Sequence, residues 1–135
     1  MTDQAPLPET PTSPSPSPDL WAAVDDLWTW LDANRAHSGQ EGLLLRMLKL
    51  SEEVGEVAEA YLGLTGLNPR KGVTHTRDDL VNEVADVIIT AAVAIVRLTG
   101  EPRAARAAFN AHLASVLTRA GLDPAPAPPG HGSQG

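Results

Sequence analysis

The chain of 135 residues carries a formal net charge of -7, contains no cysteine and places proline at 12 positions. Such a charge opposes nonspecific binding to a nucleic-acid backbone, and a phosphate-bearing ligand would need cations to approach. Without cysteine there is no disulfide, thiolate metal site or cysteine nucleophile.

Residues 1–18 are dense in Pro, Ser and Thr, and residues 123–135, DPAPAPPGHGSQG, have the same character. Neither segment can bury enough apolar surface to offset its ordering entropy, so both are expected to be disordered. One folded domain is left at 19–122, large enough for a modest core and of a size that gains from dimerising. The N-terminus lacks the basic, apolar and small-residue order of a leader, and the apolar run 87–96 is too short for a bilayer. The expectation is a cytoplasmic protein with neither a membrane nor a nucleic-acid polymer as partner.

The domain reads as all-α. Asp19 is placed to cap a first helix running to about Ala36, with Leu20, Val24, Leu27, Trp28 and Leu31 at helical spacing and Gly39 as its stop. Trp28 belongs to that apolar face. Trp30 points elsewhere and suits a subunit interface better than a base-stacking platform. A second helix is expected from about Glu41 to Leu62, where Leu43, Met47, Leu50, Val54, Val57 and Tyr61 form a packing seam. Gly63, Gly66, Asn68, Pro69 and Gly72 then mark a loop containing His75, which is expected to be exposed. Thr76 caps a third helix that ends near Thr99 and Gly100, and a fourth runs from Pro102 to about Ala120, before Gly121.

Two acidic pairs lie on the middle helices, Glu53-x-x-Glu56 preceded by Glu52, and Glu83-x-x-Asp86. Residues three apart share a helix face, so each pair can grip one ion from one side. Glu53 and Glu56 fall beside the seam of the second helix, whereas Glu52 and Glu59 fall near its opposite side. The third helix is apolar on nearly every side and is therefore expected to be buried. Yet Asp79, Glu83, Asp86, Thr90 and Arg97 share one stripe on it. Buried acids cost several kcal/mol each unless paired or coordinated, and a metal ion is the economical explanation. Neither pair contains the histidine of di-iron bundles, and all-oxygen ligation suits Mg²⁺ or Mn²⁺.

Glu52-Glu53-x-x-Glu56 followed by Glu83-x-x-Asp86 resembles the signature of the MazG-like, all-α nucleoside triphosphate pyrophosphohydrolases, over about residues 43–100. The resemblance implies a four-helix bundle with helices paired across a homodimer, or a tetramer built on it, and active sites near subunit interfaces. It implies Mg²⁺-dependent hydrolysis of a nucleoside or deoxynucleoside triphosphate to monophosphate and pyrophosphate, a nucleotide-pool housecleaning activity. Carried over by position, Glu53, Glu56, Glu83 and Asp86 correspond to metal ligands, and Glu52 to a further ligand or a base orienting the attacking water.

Arg46 and Lys49, on the flank of Glu53 and Glu56, and Arg70 and Lys71 in the loop are candidates for phosphate contact. Many relatives carry a lysine on the helix after the second motif. Here Ala108, Phe109, Asn110, Ala111 and His112 occupy that stretch, leaving Asn110 or His112 as substitutes. Two rival readings are a phosphoribosyl-ATP-type pyrophosphohydrolase, and a non-catalytic helical oligomer that binds nucleotide or protein and keeps its acids as a structural metal site.

Overall fold

Four helices and no strand make up the described residues, 19–34 and 37–122, of the computed structural model: α1 (Leu20–Ala33), α2 (Gly39–Thr65), α3 (Arg77–Thr99) and α4 (Pro102–Arg119). The Pro-rich segments 1–18 and 123–135, expected to be disordered, lie outside the described residues, as does the expected end of the first helix at Ala36. Among the described residues no helix is long and apolar enough to cross a membrane.

Helix α1 closes at Ala33, where the Asn34 backbone N–H and side-chain amide both donate to the Trp30 carbonyl. Asp19 occupies the N-cap position, but its side chain makes no capping bond and reaches the Arg106 guanidinium of α4 instead. Gly39 does not stop α1 as expected. At φ 61° it opens α2, a left-handed conformation that glycine adopts without steric cost, turning the chain from extended Ser38 into the helix.

Helices α2 and α3 form an antiparallel pair. At one end Arg97 donates to the Gly39 carbonyl at 3.1 Å, and at the other the Thr74 N–H donates to the Gly63 carbonyl at 3.0 Å. Gly63 permits that second contact, because a Cβ there would stand 2.1 Å from His75 Nδ1. His75, expected to be exposed, is accordingly half-buried against α2. Helices α1 and α4 pack on α3 and on each other rather than on α2. Their shared core is Val24, Ala92, Val93, Val96 and Ala105, flanked by Trp28 as expected and by Trp21, whose ring lies 5.5 Å from that of Phe109.

The expected burial of α3 holds only in part of its C-terminal half, at Ala92, Val93, Ala94 and Val96, where α1, α2 and α4 pack around it, while Leu98 near its end is exposed. Toward the N-terminus α2 alone covers it, leaving Val81 60% and Ile88 52% exposed, with Val84 beside them. The α2 seam is likewise only partly covered: Leu43, Met47, Leu50 and Val57 are half-buried, whereas Val54 and Tyr61 are exposed. The side of α2 that meets α3 is centred instead on Glu53 and Ala60.

A capping box starts α3. The Thr76 N–H donates to Asp79 Oδ2 at 2.7 Å, and the Asp79 N–H donates to Thr76 Oγ1 at 3.1 Å. The Thr76 backbone N–H, more than any other group, holds the Asp79 carboxyl below its ordinary pKa. A depressed folded-state value means that the stabilisation is present at neutral pH and is lost once pH falls below about 4, through the still lower folded value. Asp79→Asn is expected to flatten this part of the acid profile, measured as urea midpoints between about pH 7 and pH 3. A profile unchanged by the substitution would show that the box contributes nothing to acid sensitivity.

Candidate metal centre

The α2–α3 pairing decides which acids meet. Glu53 projects from the α3-facing side of α2 and is 7% exposed, Glu56 follows one turn later, half-buried, and Glu83 comes across from α3. One carboxylate oxygen from each of the three lies within 4.8 Å of the other two. Oxygens sharing a small hard cation stand within about 4.2 Å of one another, so slight side-chain adjustment closes the set on one ion. The donors are all carboxylate oxygens, the chemistry of Mg²⁺ and Mn²⁺ sites.

Electrostatics describe a cluster short of positive charge. The negative charge of Glu53, followed by burial, pushes the Glu56 pKa up, and Glu83 adds to the effect. Glu53 itself is held below its ordinary value by the hydrogen bond from Lys49, whose Nζ lies 2.8 Å from Glu53 Oε1. Lys49 also reaches Glu52 Oε2 at 3.3 Å, and these two bonds raise its own pKa, the Glu53 bond the more. One ammonium therefore pairs directly with two carboxylates, and its charge offsets only in small part the repulsion that Glu53 and Glu83 exert on Glu56.

Asp86 is exposed, a turn beyond Glu83, and is not among the three acids whose oxygens converge. Glu52 turns outward at the rim with its side chain 58% exposed, in keeping with its place opposite the inward pair. Glu59 is exposed as well, and Lys71 approaches it at 3.9 Å. Arg70 is exposed in the loop, its backbone N–H donating to Asn68 Oδ1. Asn110 and His112 are exposed on α4, a helix that does not pack on α2.

Because α1 leaves α2 uncovered, a cavity of about 370 Å³ opens between them, and Lys49, the partner of Glu53, is the residue that joins its lining to the acids. Arg46, Lys49 and Arg97 contribute positive charge to its lining against the single acid Asp32, and Trp28 and Trp30 contribute aromatic rings. Trp30, which the sequence suited to a subunit interface, thus lines a cavity as well. Arg97 is the residue that sequence reasoning left without a role. Its signal was present all the same, since it continues the stripe of Asp79, Glu83, Asp86 and Thr90. Gly42 admits it: a Cβ at Gly42 would lie 3.1 Å from Arg97 Nη2 and 3.0 Å from the His37 carbonyl oxygen.

No protein-family model matches the chain, and no curated protein or solved structure is significantly similar to it.

Proposed function

We propose that this protein hydrolyses a nucleoside or deoxynucleoside triphosphate to the monophosphate and pyrophosphate with Mg²⁺, or Mn²⁺, in the manner of the MazG-like pyrophosphohydrolases. The observation that carries this reading is the convergence of Glu53, Glu56 and Glu83, joined through Lys49 to a cavity whose lining includes three cations and two tryptophans. Those groups suit the two ends of one ligand: a polyphosphate needs a divalent cation and basic side chains, and a flat base needs an aromatic face.

A divalent cation bound by the three carboxylates would neutralise phosphate charge and make a water more acidic. The protein's own groups supply the rest. Glu53, Glu56 and Glu83 would fix the position of the charge, and Asp86 at the rim would complete the ligand set, directly or through water. Arg46 and Lys49 would orient phosphate oxygens, Arg97 would add positive potential, and Glu52, after turning in from the rim, would orient an attacking water. Trp28 and Trp30 would hold the base. Arg70, Lys71 and Asn110, all exposed, are assigned at most an outer role in approach of the charged substrate.

The exposed apolar groups on α2 and α3 support a helical homodimer, or a tetramer built on it, with Val54, Tyr61, Val84 and Ile88 against a second copy. Residues of that size are seldom left together in water on a monomer.

The test is pyrophosphate release from a panel of ribo- and deoxyribonucleoside triphosphates, with phosphoribosyl-ATP as a competitor. Release that requires Mg²⁺ or Mn²⁺ is expected. Absence of release across the panel with either cation would overturn the proposal and favour a non-catalytic binding protein.

A further inference from the structure

Lys49 belongs both to the acidic cluster and to the cavity. It bonds the most buried acid, since the Glu53 side chain is 9% exposed, while its own side chain is 43% exposed. A carboxylate in that setting is costly without a counter-charge, and Lys49 supplies one. The same side chain also lines the cavity with Arg46 and Arg97. Of these three cations Arg97 is tethered, donating to the Gly39 carbonyl, whereas Lys49 carries a compact charge on a flexible stem at the rim.

We infer that Lys49 is an exchangeable counter-ion, neutralising Glu53 when the centre holds no divalent cation and turning to the anionic ligand in the cavity when a cation takes its place. The inference rests on the metal centre proposed above. Its physical basis is competition for one carboxylate. An ammonium 2.8 Å from Glu53 Oε1 lies where a cation bound to that oxygen would repel it. Displaced from Glu53, the ammonium keeps a partner in Glu52 and gains any phosphate entering the cavity. Cation binding would thus be coupled to recruitment of the anion by a single side chain.

Exchange predicts effects of opposite sign from one substitution. Lys49→Met removes the competitor, so Mn²⁺ alone should bind about five- to tenfold tighter than to the unaltered chain. With Mn²⁺ saturating, an α,β-methylene nucleoside triphosphate should bind about tenfold or more weakly, through loss of a charge-assisted contact. Lys49→Arg, which preserves the charge, should keep analogue affinity within about threefold. A lysine with a merely structural role would weaken both ligands or neither.

The experiment is calorimetric titration of the full chain and these two variants, first with Mn²⁺ and then with the analogue. Lys49→Met binding Mn²⁺ no more tightly than the unaltered chain overturns the inference and leaves the metal centre standing. Tighter Mn²⁺ binding with unchanged analogue affinity also overturns exchange, because Lys49 would then be a fixed neutraliser. If the unaltered chain binds no Mn²⁺, the metal centre and the inference fall together.

Discussion

Glu83→Gln is expected to abolish divalent-cation binding and metal-dependent pyrophosphate release while leaving the helical content intact. Glu83 is the one member of the converging three that comes from α3, so without it the remaining donors lie on a single helix. Glutamine keeps the shape and loses the charge, which isolates electrostatics from packing. The loss should be about a hundredfold or more in Mn²⁺ affinity, beyond that caused by removing an outer-sphere partner. Stability without metal should not fall, because the Glu83 charge contributes to raising the Glu56 pKa, a sign of repulsion within the cluster. Asp86→Asn should weaken Mn²⁺ less than Glu83→Gln, since Asp86 is exposed and stands outside the converging set. Mn²⁺ titration and thermal unfolding of both variants check this. The reverse ranking would show that the ligand set is drawn one turn too early on α3.

Ile88→Glu is expected to dissociate the proposed homo-oligomer. Ile88 lies on the N-terminal half of α3, among Val81, Val84 and Ile89, on a surface that neither α1 nor α4 reaches. In a monomer this substitution would fall within about 0.5 kcal/mol of neutral, since it would place a charge on an already exposed helix face. At an interface it would bury an unpaired carboxylate at a cost of several kcal/mol, weakening association by about a hundredfold or more. Sedimentation velocity over a range of concentrations distinguishes the two cases. An unaltered chain that sediments as a monomer throughout would remove the oligomer from the proposal.

Ends of helices were legible in the sequence where the controlling chemistry is local. Thr76 with Asp79 starts α3, Gly100 ends it at φ 91°, and Pro102 opens α4, each through bonds or dihedrals spanning a few residues. Gly39 was misread because a glycine at a helix boundary can serve either as a stop or as a start. Only the direction of the flanking chain distinguishes the two.

The candidate site divides in the same way. Spacing alone put Glu53 and Glu56 on one face, put Glu52 on another, and linked Glu83 with Arg97 in a stripe. Burial of α3 was overestimated because apolar composition reports a demand for cover, while the cover itself depends on which neighbours arrive. Here α1 and α4 reach only its C-terminal half.

By itself, then, the sequence determined that the chain is helical, where most helices begin and end, and which acids share a face, because those properties follow from bonds and periodicity along one segment. Only the tertiary structure decided that three acids converge while Asp86 stays exposed outside them, that Lys49 joins Glu53 to a cavity shared with Arg97, and that one half of α3 is covered by α2 alone. Each of these depends on the axial offset and rotation of one helix against another. A short stretch of sequence encodes the faces of a helix, but the partner and register of each face are set by packing across the whole domain.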